Sequence, residues 1–199
     1  MSSFLDKIFG SKIEIDLAKI GLESELCFEH TRMDIALGKG IADNQHNDLL
    51  KLEYTDLLLR MTQLKKDQWL TIGKELDLLR QYIALWGKVS IGTLFIRVET
   101  FVDVERELPA LILFPLVANA IQQGYNSMEN YPVKVKVKAN EYMLNMEISN
   151  RVNHHILSQE ATVLIDRYKQ RLLELLPDKH TLFFNSNSNT FKAILQIRW

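Results

Sequence analysis

Few residues of this chain have types and spacings that could support chemistry, and Asn119 is the first of them. It lies inside an apolar run, residues 108–124, whose only strongly polar side chains are those of Asn119, Gln122 and Gln123. A buried asparagine is usually satisfied by backbone hydrogen bonds, and the residues alone favour that interpretation for Asn119. The segment is predicted to form an apolar helix with Pro109 or Pro115 near its start and Gly124 at its C-terminal cap.

The histidines and the cysteine do not have the spacing of a metal site. His154 and His155 stand together in a predicted loop, with no Cys, Asp or third His at ligand spacing. His30 stands beside Glu29, and Cys27 has no second thiol for an internal disulfide. We therefore expect no metal site at these positions, and we expect Cys27 to be a small buried side chain.

A run of alternating lysines and valines over residues 133–138 indicates a strand rather than a site. Alternation of this kind gives a strand one buried and one solvated face. We interpret the lysines as a solvated strand edge and assign them no chemistry. They are Lys134, Lys136 and Lys138.

Apolar residues spaced three and four apart predict two consecutive helices, over residues 50–64 and 72–86. The short polar link between them, residues 65–68, predicts an antiparallel hairpin that an earlier helix around residues 22–37 joins. Such stripes form either an intramolecular core or a seam shared by two chains. The first stripe is Leu50, Tyr54, Leu57, Met61 and Leu64, and the second is Ile72, Leu76, Leu79, Ile83 and Trp86.

The second half of the chain is rich in predicted strands. Strand-like segments at residues 92–104, 133–138 and 143–149 precede a helix from Ser158 to a stop at Pro177, and a hairpin closes the chain. The sequence therefore predicts an α+β fold. Residues 1–87 form a helical hairpin or bundle, and residues 88–199 form a compact α/β domain.

The overall charge and hydropathy exclude some functions. The chain carries 24 Lys and Arg against 25 Asp and Glu, so it lacks the basic surface that nucleic acid or an anionic membrane requires. Its apolar runs stop short of the roughly 20 residues that span a bilayer, and the first ten residues are not a signal peptide. We therefore expect a cytoplasmic protein with neither nucleic-acid binding nor membrane insertion.

Four segments of the sequence resemble the LytS-type (YehU-like) sensor histidine kinases. Residues 109–124 are similar to that family's asparagine box, P-x-L-I-L-Q-P-L-V-E-N-A-I-K-H-G. Residues 56–60 and 74–85 are similar to its D-L-L-R and E-E-L-x-L-L-x-x-Y-I-x-L segments, and residues 168–177 resemble its late helix. The resemblance implies a GHKL (Bergerat) α/β sandwich with a mixed sheet, preceded by helices for dimerisation and phosphoacceptance. It also implies that Asn119 holds Mg²⁺ and that Gln123 and Asn150 face the nucleotide.

The same alignment shows where the family's chemistry is missing. Ala118 replaces the glutamate that precedes the family's asparagine, and a methyl group cannot accept a proton. No glycine follows Gly124, so the aspartate–glycine pair and the G-x-G-L turn that approach adenine and phosphates are absent. Residues 161–165 are expected to extend a helix instead. Glu29 falls where the phosphoacceptor histidine belongs, and His30 follows one position later.

These departures favour a degenerate kinase, a pseudokinase of a two-component system that acts through protein contacts. Under this hypothesis no cofactor is expected, and the partners are a second copy through the N-terminal helices, an intact histidine kinase, or a LytTR-type response regulator. A divergent active histidine kinase that uses ATP and Mg²⁺ is the first alternative. A module that binds another small ligand in the old nucleotide cleft is the second.

Overall fold

The structure is a computed structural model that describes residues 16–44, 47–90, 92–153 and 159–199. The first part of the chain is mostly helical, and the second part consists mostly of strands. The helices are α1 (Leu17–Arg32), α2 (Ile35–Asp43), α3 (Asp48–Thr62), α4 (Ile72–Val89), α5 (Phe114–Gln123) and α6 (Gln159–Leu175). The strands are β1 (Trp69–Thr71), β2 (Ile96–Val102), β3 (Glu107–Pro109), β4 (Val133–Ala139), β5 (Met143–Arg151), β6 (His180–Ser186) and β7 (Thr190–Arg198).

The main sheet has five strands in the order β2-β4-β5-β7-β6. Strand β2 runs parallel to β4 and the other neighbours are antiparallel, so the sheet is mixed. Strand β5 alternates buried and half-buried residues along its whole length, which gives the sheet one face against the helices and one face toward solvent. The α+β fold predicted from the sequence is confirmed.

Strand β4 confirms the predicted alternation but corrects its position. Its valines are buried while Lys134 and Lys138 are exposed, yet β4 lies between β2 and β5 and is not an edge strand. The lysines cover the outer face of the sheet, where Lys136 pairs with Glu99 of β2 at 3.3 Å. Side-chain alternation alone cannot distinguish an edge strand from an inner strand with one wet face, because both have the same period.

The predicted helical hairpin is present as α3 and α4. Arg60 of α3 bonds Gln81 of α4 at 2.7 Å, and Glu53 pairs with Lys88, so the two helices run antiparallel. Leu57 of the first predicted stripe is 2% exposed, and the stripes are intramolecular core in this chain. The predicted earlier helix is two helices, α1 and α2, because Asp34 caps a new helix by accepting the Leu37 N–H at 3.0 Å.

The two halves of the chain share one continuous core. Strand β1 pairs antiparallel with β3, and helix α1 packs along α6. The buried apolar residues of both halves form a single cluster. The predicted division into residues 1–87 and 88–199 stays a prediction. The contacts described above join these two parts of the chain.

The predicted helix within residues 108–124 begins at Phe114, so Pro115 rather than Pro109 lies near its start, and a turn at residues 110–113 precedes it. Residues 107–109 form β3, Leu111 has a positive φ of 58°, and α5 begins at Phe114 with Pro115 in its first turn. A proline at this position needs no N–H partner and fits the start of a helix. Sequence periodicity does not show a left-handed leucine, so the turn could not be located from the apolar pattern.

Three buried side chains hydrogen-bond to four backbone groups of this turn. The carboxylate of Glu75 accepts the N–H groups of Leu111 at 2.8 Å and Leu113 at 3.0 Å. From the other side, Arg171 donates to the Ala110 carbonyl at 2.8 Å, and Tyr168 donates its hydroxyl to the Ile112 carbonyl at 2.8 Å. These four bonds hold α5 in place, because they fix the turn from which it begins.

Burial of Glu75 has a cost that depends on pH. Its side chain is fully buried, and burial raises the pKa of the carboxyl from 4.5 to about 7 against the opposing effects of the backbone N–H bonds and the Arg171 charge. A carboxyl with a higher pKa in the folded state binds more protons when folded. Its contribution to stability is therefore full below about pH 4.5 and is lost as the pH rises through about 7.

We predict that this single residue makes the free energy of unfolding fall by up to ~3 kcal/mol between pH 4.5 and pH 7. Urea unfolding measured at several pH values should show a shallower slope for Glu75→Gln, even though this variant is less stable overall. The control is Glu141→Gln, at an exposed position, which should keep the wild-type slope. Equal slopes for all three proteins would contradict the prediction.

Candidate functional site

The candidate site begins with helix α5, which carries Asn119 and Ala118. The helix is buried from Phe114 to Ile121, and both residues are buried within it. Asn119 makes no side-chain hydrogen bond within the described part of the chain, so backbone satisfaction does not explain this carboxamide. The side chain fits the chemistry of an oxygen ligand, while Ala118 offers only a methyl group.

Gln122 and Gln123 follow one turn after Asn119 and are both half-buried. Gln122 donates to Asp34 at 3.1 Å, and Asp34 also accepts the Tyr82 hydroxyl at 2.6 Å. The amide of Gln122 is therefore engaged by the junction between α1 and α2 rather than by the cleft. The prediction that Gln123 faces a nucleotide rests only on the position of this residue in the last turn of α5.

A cluster of asparagines surrounds the C-terminal end of α5. Asn126 donates to the carbonyls of Ala120 at 3.0 Å and Ile121 at 2.8 Å, which satisfies the last turn of the helix. Asn150 donates to the Arg151 carbonyl at 2.9 Å. The side-chain oxygens of Asn126 and Asn150 are buried and have no partner among the described residues. Asn126 was not predicted from the sequence as a site residue. Its position two residues after the glycine that ends the helix is the feature that could have indicated it.

Gly124 lets these groups approach each other. Its φ is −80°, so the glycine is not needed for a left-handed cap. A Cβ at this position would lie 2.5 Å from the Ala120 carbonyl oxygen and 2.3 Å from the Asn126 side-chain oxygen. The sequence correctly placed Gly124 at the end of the helix, but close packing, not backbone conformation, is what requires it.

The connection between β5 and α6 is the region where the family resemblance places the nucleotide loops. It contains seven residues, 152–158, and no glycine. Helix α6 runs without a break through residues 161–165, as the sequence predicted. His154, His155 and the predicted cap at Ser158 lie outside the described residues.

The region predicted to hold the phosphoacceptor lies on α1. His30 is exposed, and Glu29 pairs with Arg32 at 2.5 Å. Cys27 is completely buried, as expected, and burial raises the pKa of its thiol to about 11. His30 therefore lies on the solvent side of α1, away from the face that packs on the rest of the chain.

Titratable groups with perturbed pKa values are often functional. Among the described residues, Glu75 is the carboxyl whose pKa is shifted most. Both of its oxygens, however, accept backbone N–H groups of the turn before α5. We therefore assign Glu75 a structural role. The described residues contain no group of three or more His, Cys, Asp or Glu side chains that could hold a metal ion. None of the helices found in the described part is long and apolar enough to cross a membrane.

Comparison with known proteins gives a fold but no sequence family. No family model and no curated protein matches the chain. The solved structure of the histidine kinase AdeS from Acinetobacter baumannii is similar with a TM-score of 0.50 and 10% identity, over 73% of this chain and 75% of that one. The architecture is therefore that of histidine kinase catalytic domains, with helices on a mixed sheet.

Two further solved structures are similar at lower scores. The nucleotide-free catalytic domain of histidine kinase ThkA has a TM-score of 0.47 and 13% identity, over 66% of this chain and 97% of that one. A histidine kinase from Burkholderia phymatum has a TM-score of 0.45 and 10% identity, over 94% of this chain and 99% of that one.

We predict that Gly124→Ala destabilises the protein by ~1–3 kcal/mol, because the new methyl group would overlap a backbone carbonyl and the Asn126 side chain. The matched control is Gly87→Ala in helix α4, where a Cβ would have nothing within 4 Å. This control should be neutral or stabilising by up to ~1 kcal/mol. Denaturant unfolding of both variants measures the difference, and a neutral Gly124→Ala would show that the cluster is loosely packed.

Proposed function

We propose that this chain is a LytS-type, histidine-kinase-like signalling protein that has lost phosphotransfer and acts through contacts with other proteins. The observation that carries the proposal is the connection of seven glycine-free residues between β5 and α6. Glycine amides with unrestricted φ are what allow a loop to approach phosphates closely. The scaffold that would position such a loop is retained, while the loop itself is not.

The residues present do not fit a bound nucleotide. Asn119 is a suitable oxygen ligand for Mg²⁺, but Ala118 cannot act as a base and Gln122 is bonded to Asp34. The absence of a positioned general base typically costs about 10²-fold to 10⁴-fold in rate. An active kinase would thus need both a new base and a new phosphate cradle. We therefore propose that no ATP or Mg²⁺ is used and that the protein works in the cytoplasm as a binding partner.

We predict that calorimetric titration of ATP or ADP with Mg²⁺ gives no saturable binding, and that purified protein incubated with γ-labelled ATP acquires no label. Ala118→Glu should not restore labelling, because it returns the base but not the phosphate cradle. A fluorescent nucleotide displaced by ATP checks for binding without heat. Saturable binding abolished by Asn119→Ala, or labelling of the wild-type protein, would reject the pseudokinase in favour of the active kinase.

The proposed homodimer requires a face that is still free, because the predicted stripes are used within the chain. Helix α3 presents such a face: Leu49, Leu52 and Leu59 are 65%, 66% and 57% exposed. With Asp56 they are spaced by three, four and three residues, which is the a/d pattern of a two-chain seam. A groove of about 610 Å³, with Leu52 and Leu85 in its wall, lies beside this face between α3 and α4.

Charge favours an antiparallel arrangement of two α3 helices. A parallel pairing would place Asp56 against the same residue of the second copy, and like charges at a seam are unfavourable. In an antiparallel pairing centred on Tyr54, Leu49 lies opposite Leu59 of the partner subunit, and Asp48 lies opposite Arg60 of the partner subunit. A two-fold axis repeats both contacts. An intact histidine kinase or a LytTR-type response regulator stays an alternative partner.

We predict that the wild-type protein is a dimer in light scattering and that Leu49→Lys is a monomer, because a lysine buried opposite Leu59 of the partner subunit lacks a counter-charge. The control is Leu173→Lys at an exposed position of α6, which should stay dimeric. Asp48→Arg and Arg60→Asp should each weaken the dimer, and combining them should restore it. A monomeric wild-type protein, or no restoration by the double variant, would contradict this interface.

A further inference from the structure

A second cavity lies at the end of β5, on the face of the sheet opposite to Asn150. It has a volume of about 300 Å³ and is lined by the loop after α5, by the end of β5 and by the turn between β6 and β7. Arg151 points to the outer face of β5, whereas Asn150 points to the buried face, since successive side chains alternate. The cavity is therefore separate from the site around Asn119 and Asn150.

Arg151 is half-buried in this cavity and has no anionic partner among the described residues. Its guanidinium lies 4.8 Å from the centre of the Tyr131 ring, within the range of a cation–π contact. One of its nitrogens donates to the Met128 sulfur at 3.7 Å, and a thioether is a weak acceptor. No carboxylate of the described residues lies within ion-pair distance of it. A stacked guanidinium of this kind keeps its plane fixed and its remaining donors available.

Backbone hydrogen bonds hold the walls of the cavity together. The Tyr125 N–H donates to the Arg151 carbonyl at 3.0 Å, and the Val152 N–H donates to the Asn189 carbonyl at 3.0 Å. The turn that carries Asn189 is itself closed by the Asn187 side chain, which accepts the N–H groups of Asn189 at 2.9 Å and Thr190 at 2.8 Å. The three wall segments are thus fixed relative to one another, which lowers the entropic cost of binding a ligand.

The remaining wall is apolar and partly exposed. Tyr125 and Met128 are each 41% exposed and line the cavity. A flat ring and a thioether present a surface for a planar apolar group, since sulfur and aromatic rings pack favourably on one another. Asn189 also lines the cavity and adds an amide. The cavity therefore combines one fixed cation, an apolar wall and a neutral polar group.

We propose that this cavity binds a small organic anion, with its carboxylate or phosphate group on Arg151 and its planar body against Tyr125 and Met128. A guanidinium binds such oxyanions through two parallel hydrogen bonds, which a thioether contact does not replace. A half-buried charge without a counter-charge gains most from an anion that enters beside it. This proposal does not depend on the loss of kinase activity, because the two sites lie on opposite faces of β5.

The experiment is a titration of the full chain with benzoate, phenyl phosphate and inorganic phosphate, followed by NMR chemical-shift changes. Benzoate and phenyl phosphate should give saturable shifts at the loop after α5 and at the β6–β7 turn. Arg151→Gln should weaken both by roughly 10-fold or more, because the charged two-bond contact is lost. Arg151→Lys should recover part of the affinity through charge alone.

The matched control is Arg97→Gln, an exposed arginine on the same outer face of the sheet with no ion pair in the described chain. It should leave binding unchanged, and thermal unfolding should confirm that all variants are folded. No saturable shift, or equal binding by Arg151→Gln and wild type, would overturn the proposal. Inorganic phosphate binding as tightly as phenyl phosphate would overturn the role of the apolar wall. Nucleotide titration reports separately on the proposed loss of kinase function.

Discussion

The turn at residues 110–113 is the constraint on which the rest of this structure depends. Its N–H groups are bonded to Glu75 of α4, and its carbonyls are bonded to Tyr168 and Arg171 of α6. Two helices from different halves of the chain therefore meet at one short segment. Because a buried backbone group without a partner is costly, none of these bonds can be lost cheaply. The position of α5, and with it every residue of the candidate site, follows from this arrangement.

The same buried charges connect the N-terminal helices to the sheet domain. Arg171, only 1% exposed, lies 4.7 Å from the centre of the Phe28 ring of α1 and also bonds the Lys66 carbonyl at 3.2 Å. At the other end, Asp34 receives hydrogen bonds from Tyr82 and Gln122. The packing of α1 against α6 is thus supported by the Arg171–Phe28 contact and by the Arg167–Glu23 ion pair at 3.1 Å, while Asp34 joins the start of α2 to α4 and α5. Such networks specify one arrangement because each buried member needs its own partner.

This arrangement separates the residues that build the fold from those that the family resemblance assigns to catalysis. Glu75, Tyr168 and Arg171 fix the turn before α5, whereas Ala118 and Asn119 lie within the helix itself. The loss of catalytic residues that we propose would therefore leave these contacts intact. The α3 face and the Arg151 cavity, which our proposals use, include none of the residues that fix the turn.

The sequence by itself determined the periodic elements of the chain, which are the helices α3, α4 and α6, the strands β4 and β5, and the closing hairpin. These depend on the spacing of neighbouring residues along the chain. It did not reveal the left-handed Leu111, which of two prolines begins α5, the inner position of β4 or the cavity at Arg151. Each of these depends on which segments meet in space, such as Glu75 with residues 111 and 113, or Tyr131 with Arg151. Only the tertiary structure decides those pairings, because they join groups that lie 20 or more residues apart in sequence.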